Sequence, residues 1–245
     1  MLKEYDELIN NQFEWDLRTE EYIRELYTLP FFWNKFYPHQ IKVAHGEDNK
    51  AGADIYCRNV PIDEKCSTGV WVDTEEEPYT WAVEICSSWE TRGWFVDQNK
   101  SAEEYLFVQI RKYNGPMIKE TKYKKDGSPY EKKTPIKTIP PIHFALYIEQ
   151  LFCFMESREE LENKIRELTG YTPDMLFNKG KELKTCNKRD YIGDKIYLLR
   201  TPVGKQYPVN LVIPFSVHKE LMGVNKIINV KEMLECQMRK NSLVM

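Results

Sequence analysis

Nowhere in the chain do ~20 apolar residues follow one another, so no segment is suited to cross a bilayer as a helix. The opening residues, Met1-Leu2-Lys3-Glu4-Tyr5-Asp6, lack the charged-then-apolar order of a secretory signal, and a cytoplasmic protein without membrane contact is the expectation. No C-x-x-C pair occurs. Cys57, Cys66, Cys86, Cys153, Cys186 and Cys236 are scattered, and His39, His45, His143 and His218 stand far apart. A zinc site would need distant ligands to converge, and reduced, mostly buried thiols are the simpler use. The glycine-rich phosphate loop, the G-x-S-x-G elbow and the H-E-x-x-H helix are missing as well. Nor is there an excess of either charge. A formal charge of −3 neither requires nor excludes a nucleic-acid partner, because a local basic face matters more than the sum.

What is present is a folded composition, 42% hydrophobic and 13% aromatic, in 245 residues, enough for one domain with elaborations. Thr19 can cap a helix whose apolar positions Tyr22, Ile23, Leu26 and Tyr27 recur at helical spacing, with Pro30 as its stop and the aromatic cluster 31–37 packed nearby. After a polar loop at 45–50, short strands are expected at 53–57, 60–66, 81–87 and 105–110. Residues 111–137 read as a basic insertion, a loop or mobile hairpin, with nine lysines and arginines against three acids and a local charge of +6. A strand-like run at 142–146 follows Pro140-Pro141. Ser157, with Glu160 three residues on, opens a helix that ends near Gly170. A hairpin, 195–200 with 209–213, precedes a helix opening at Pro214 or Ser216.

The stretch that carries chemistry is Gly52-Ala53-Asp54-Ile55-Tyr56-Cys57-Arg58-Asn59-Val60-Pro61-Ile62-Asp63-Glu64-Lys65. A two-residue turn at Arg58-Asn59 sets Cys57 against Val60, Ile55 against Ile62, and Asp54 against Asp63. Opposed side chains stand ~4.5–5.5 Å apart at Cβ on one face, and alternation brings Lys65 to the face of Asp63. Pro61 removes a ladder donor, tolerable at a non-hydrogen-bonded pair whose other edge is free. Two acids that repel one another invite a hard cation with oxygen ligands, and an ammonium beside them suits phosphodiester hydrolysis. Alternatively, Asp54 caps a turn while Asp63 and Lys65 are ordinary polar strand positions. Other (D/E)-x-K strings occur at 48–50, 120–122, 131–133, 162–164 and 182–184, so strand context and register single out the 54/63/65 set.

These residues resemble the PD-(D/E)xK nuclease superfamily, in which an acid on one strand is followed by (D/E)-x-K on the next. Asp54 matches the first acid, Asp63 the second and Lys65 the lysine. The resemblance implies an α/β fold, with a mixed central sheet flanked by helices and a restriction-endonuclease-like αβββαβ core over about residues 19–168. The whole chain would then be one nuclease-like domain, with a C-terminal hairpin and helix elaboration over about 171–245. It further implies Mg²⁺ or Mn²⁺ held by Asp54 and Asp63, catalysis by those two with Lys65, and DNA, with RNA second, as substrate. Gly93-Trp94-Phe95 followed by Tyr105-Leu106-Phe107-Val108 is similar to phage or mobile-element members. Such enzymes often add a helix glutamate, for which Glu20 is the first choice, and Glu84 is a second candidate metal ligand. Each has an ordinary use as well, Glu20 on an exposed helix face and Glu84 as a satisfied buried or solvent-facing acid. Duplex cutting calls for a homodimer, for which the aromatic cluster at 31–37 offers an interface or simply core packing. Lys122, Lys124, Lys125, Lys132 and Lys133, interleaved with tyrosines, are candidate nucleic-acid contacts or solvated loop charges, as is the basic stretch 179–189. The competing class is an inactive nucleic-acid-binding or assembly protein that keeps the fold.

Overall fold

The computed structural model describes residues 12–33, 41–70, 80–88, 91–123, 126–201, 207–214, 217 and 226–229. Among them no helix is long and apolar enough to cross a membrane. The fold is mixed α/β.

The first helix, α1, spans Gln12–Ile23, starting earlier than the Thr19 cap implied. Thr19 lies inside it and its hydroxyl donates to the Trp15 carbonyl at 2.8 Å. Nor does Pro30 stop the chain. A π-helical continuation runs through Arg24–Trp33, a widened winding that absorbs the bond a proline removes from the i→i−4 ladder. Side chains of the 31–37 cluster lie outside the described residues.

A six-stranded sheet follows from β1 (Ile41–Val43), β2 (Ile55–Cys57), β3 (Val60–Val70), β5 (Glu104–Tyr113), β8 (Ile148–Ser157) and β12 (Lys226–Asn229), in the order β1-β2-β3-β5-β8-β12. A one-turn α2 (Glu47–Lys50) separates β1 from β2. All neighbours are antiparallel except β3 and β5, which run parallel with Asp63 beside Tyr105 and Lys65 beside Phe107. Residues 105–108 of β5 read as an unbroken apolar run because the strand is covered on both faces. Tyr105 and Phe107 enter one apolar cluster, and Leu106, Val108 and Ile110 enter the other.

Strand β4 (Thr80–Cys86) corrects the expected layout. It does not join the central sheet as the third strand of an αβββαβ core. It pairs with β11 (Val209–Pro214), giving a second sheet in the order β4-β11-β10-β9 with β9 (Arg189–Tyr191) and β10 (Tyr197–Arg200). Its apolar sequence fits either sheet, and the partner that decides the matter lies more than 120 residues away. The two sheets share one core, in which Val83, Ile85, Leu198 and Leu211 meet Phe107, Phe152 and Phe154.

Local structure adds one further correction, two unanticipated elements and, of the loop or hairpin expected at 111–137, the hairpin. Residues 142–146 belong to a helix, α3 (Pro141–Leu146), since proline at the first helical position pre-sets its φ. The long strand β8 and the helix α5 (Pro173–Glu182), capped by Thr172, were not anticipated. The basic insertion is an ordered two-stranded ribbon of β6 (Met117–Tyr123) and β7 (Pro129–Pro135). The capping-box helix forms as expected. It is α4 (Arg158–Thr169), with the Ser157 hydroxyl accepting from the Glu160 amide and Gly170 closing it at φ 74°. The helix expected from Pro214 or Ser216 falls outside the described residues apart from residue 217.

Helix α1 and its π-helical continuation are fastened to one face of the central sheet by buried Trp15, Ile23 and Tyr27. Full burial of each contributes ~1.5–3 kcal/mol. Trp15 Nε1 donates to the Ile139 carbonyl at 2.8 Å, and the Tyr27 hydroxyl to that of Ala145 at 2.7 Å. These contacts fix where Glu20 and Arg24, four residues apart on one helix face, approach β3.

Candidate active site

The β2–β3 hairpin forms in the register expected from the sequence, Cys57 opposite Val60 and Ile55 opposite Ile62. Arg58 and Asn59 adopt φ 53° and 69°, both left-handed, as a two-residue type I′ turn demands. Pro61 is accommodated because the register with β5 begins only at Ile62, so no ladder partner waits for the amide it lacks, and its carbonyl accepts from the Glu103 amide at 2.9 Å.

Beyond Ile55 the short β2 ends, and Glu64, two residues past Ile62, turns its amide toward a missing neighbour. The Asp54 carboxylate takes that place, accepting from the Glu64 amide at 2.9 Å. Its own amide donates to the Ile62 carbonyl at 2.8 Å, and its carbonyl accepts from Ala44 at 2.9 Å. Asp54 is therefore pinned by backbone on three sides, and it does serve as a turn-like cap in addition to any other role.

Asp63 lies next to it, buried. Burial and the adjoining Asp54 carboxyl, within hydrogen-bonding reach, raise its pKa to about 6, with the Lys65 charge pulling the other way. Lys65 Nζ stands 2.6 Å from Asp63 Oδ2 and 4.7 Å from the centroid of the Trp94 ring. Trp94 in turn packs on Tyr105 at 4.9 Å, so the indole is a fixed wall against which the lysine rests.

From the opposite side of β3, Arg24 closes the network. Its guanidinium ion-pairs with Glu64 and lies 3.3 Å from Asp54 Oδ1. Burial works against the guanidinium's charge, but the Glu64 and Asp54 carboxylates outweigh it and hold Arg24 protonated. Burial pushes the Glu64 carboxyl up, opposed by Arg24, and its Oε1 has no hydrogen-bond partner. Glu20, one turn before Arg24, has its carboxyl pushed up to about 8 by burial and by Asp16, against the pull of Lys65 and Arg24.

These side chains line one cleft of about 350 Å³, in which Glu20, Asp54, Asp63, Lys65, Trp94 and Lys100 all take part. Gly52, at φ 98°, is held against Lys100, whose Cδ lies 2.8 Å from where a Cβ would stand. Glu84 is placed differently. Burial raises its carboxyl, Lys65, the Trp94 amide and Lys100 oppose the shift, and it does not line the cleft. It supports the Trp94 loop instead. The Gly93 amide donates to the Ile85 carbonyl at 2.9 Å, and a Cβ at Gly93 would fall 2.3 Å from the Glu84 carbonyl oxygen.

The structure thus brings Asp54, Asp63, Lys65 and Glu20 together in one cleft, with Glu84 near enough to feel the Lys65 charge but not among the lining residues. Lys122, Lys132 and Lys133 lie on the ribbon, away from the cleft, and Lys124 and Lys125 lie outside the described residues. Sequence reasoning missed Arg24 and Trp94. The i, i+4 relation of Arg24 to Glu20 was a readable signal, whereas nothing in the sequence marks Trp94 as the partner of Lys65.

Among the described residues no group of three or more Asp, Glu, His or Cys side chains forms a ready-made metal cage. Two carboxylates are nonetheless a sufficient protein contribution for Mg²⁺, which keeps several waters. Asp54 and Asp63, adjacent all-oxygen donors lining one cleft, have the chemistry of such a site. No protein-family model matches the chain, and no curated protein or solved structure is significantly similar to it.

Proposed function

We propose that this chain is a metal-dependent nuclease that hydrolyses phosphodiester bonds of DNA, with Asp54 and Asp63 as ligands of Mg²⁺ or Mn²⁺ and Lys65 as the catalytic cation. The observation that carries the reading is the convergence of two carboxylates and one ammonium in a single cleft at the open edge of β3. Further support comes from the surroundings. The strand bearing Asp63 and Lys65 has an antiparallel hairpin partner on one side and a parallel strand on the other, with α1 across its face. That arrangement is akin to the restriction-endonuclease-like core, although β4 and a loop, not a helix, connect β3 to β5 among the described residues.

When bound, the metal supplies an acidified water and shields phosphate charge. Asp54 is held for this task by the Glu64 amide and by Arg24. Asp54 and Asp63 would hold the cation, and Lys65, next to Asp63, would then be the ammonium that faces the scissile phosphate. There Lys65 stabilises the charge that develops on the phosphoryl oxygens, and the Trp94 face limits where its chain can swing. Glu20 is the third oxygen donor within reach of the cleft, ionised once a cation offsets its burial. Such a substrate goes with a cytoplasmic location, and cutting both strands of a duplex goes with a homodimer.

One observation favours a second reading, an inactive nucleic-acid-binding module. Arg24 and Lys65 already neutralise the two aspartates, as in a site that has exchanged its metal for internal ion pairs. Cleavage of labelled DNA in Mg²⁺ or Mn²⁺ separates the two. The nuclease reading expects cutting by the wild type, abolished by chelation and by Asp63→Asn. It also expects a loss of about a hundredfold or more in kcat for Lys65→Met, the scale seen when one transition-state donor is removed. A folded wild type that binds DNA and never cuts it overturns this reading in favour of the second.

A further inference from the structure

Among the described residues the ribbon β6–β7 belongs to neither sheet, and all but its base is exposed. All of β6 after Met117, and β7 up to Lys132, are exposed, including the apolar surface of Ile118, Tyr123 and Tyr130. A two-stranded ribbon in water is marginal without something to pack against.

Its charge pattern compounds the cost. Lys119 stands directly opposite Lys133 on one face, and like charges in that position are destabilising. Both reach toward the same carboxylate, Glu131, each at 3.8 Å. Two ammonium groups sharing one distant carboxylate form a socket for a second anion. On the other face Lys132 lies opposite Glu120 while Lys122 contacts it at 2.9 Å, so that face too has two lysines for one acid.

The base of the ribbon is anchored beside the cleft. The Ile136 amide donates to the Pro116 carbonyl at 3.0 Å, and Lys137 Nζ sits 2.7 Å from Asp16, one helical turn from Glu20. Seven paired residues at ~3.4 Å each give an arm of roughly 24 Å, and a two-stranded ribbon fits the major groove of B-form DNA.

We infer that β6–β7 is an arm that grips duplex DNA, with Lys119 and Lys133 seating one backbone phosphate between them and Lys122 and Lys132 facing the other groove wall. The inference rests on the nuclease reading for its orientation, since it supplies the duplex on which the cleft acts, but its contacts do not depend on chemistry at the cleft. Double-stranded DNA is the occupant because a single strand offers no groove for a ribbon, and the deep, narrow major groove of duplex RNA excludes one.

The test is fluorescence anisotropy with a labelled duplex two helical turns long and with one of its strands alone, in EDTA so that no cutting intervenes. Wild type is compared with Lys119→Gln/Lys133→Gln, an exposed and a half-exposed position on the ribbon, with a thermal melt to verify that the fold is intact. Duplex affinity should fall about tenfold or more, and the slope of log K against log salt should shrink by about 1, close to the 0.9 expected for one lost phosphate contact. Unchanged affinity and slope would overturn the arm, and an equal loss on the single strand would overturn the duplex as its partner. A parallel Mg²⁺ cleavage assay keeps the two readings apart. Ribbon-dependent binding by a wild type that never cuts sinks the nuclease and spares the arm, whereas cutting with KM unchanged in the double variant does the reverse.

Discussion

Replacing Asp63 with asparagine should stabilise the metal-free protein while removing its metal centre. Asp63 is 5% exposed, and its carboxyl is raised by burial and by Asp54 from the ordinary 3.8 to about 6 even with Lys65 alongside. At 1.36 kcal/mol per pH unit the ionised form is disfavoured in the fold by about 3 kcal/mol. As pH falls from about 7 to 4, the folded protein takes up a proton that the unfolded chain accepts only near the bottom of that range. Stability therefore rises toward acid through this window. Asparagine keeps the shape and has nothing to titrate. At about pH 8 the variant should gain up to about 3 kcal/mol, or roughly 6–12 °C in Tm for a chain of this size. Glu20, also raised, adds an acid-side gain to both proteins, so the difference between the two pH profiles isolates Asp63. Urea unfolding followed by tryptophan fluorescence, in EDTA at a series of pH values, measures it. The reasoning is refuted if Asp63→Asn is less stable at about pH 8, or if the two profiles run parallel throughout. Either result would mean that the Lys65 ion pair, and not burial, governs this carboxylate.

Arg24→Met leaves Glu64 buried without its partner and should cost about 3–5 kcal/mol, with part of the loss restored by adding Glu64→Gln. A cost below about 1 kcal/mol, or no rescue, would show the network to be dispensable. Gly93→Ala forces the Trp94 loop off β4, because the added Cβ meets the Glu84 carbonyl oxygen at 2.3 Å. A loss of about 1–3 kcal/mol should appear in a thermal melt, with a fall in cleavage beyond what the lost stability accounts for.

The parts of this fold legible in the sequence are those decided by neighbours along the chain. The Arg58-Asn59 turn, the pairing of Ile55 with Ile62, the projection of Asp63 and Lys65 to one face, and the Ser157 cap all follow from two-residue alternation or short-range hydrogen bonding. Glu20 was reachable because it borders the apolar face of a helix whose spacing is legible. What escaped was decided at long range. Val83 and Ile85 suit the central sheet as well as the second one, and only β11, far along the chain, claims them. The Arg24–Glu64 ion pair joins residues 40 apart and leaves no pattern in either segment. Residues 142–146 were misread because so short a run cannot separate helical from strand periodicity, although Pro141 was a usable clue to a helix start.

Whether Asp54 and Asp63 hold a divalent cation is read most directly by titrating the protein with Mn²⁺ and following the free ion by electron paramagnetic resonance. The nuclease reading predicts one saturable site per chain in the wild type, retained in Lys65→Met and weakened at least about tenfold in Asp54→Asn and in Asp63→Asn, the loss of one of two ligands. Absence of saturable binding, or the same binding in Asp63→Asn as in the wild type, would contradict the metal centre. The two aspartates would then be no more than internal partners of Arg24 and Lys65.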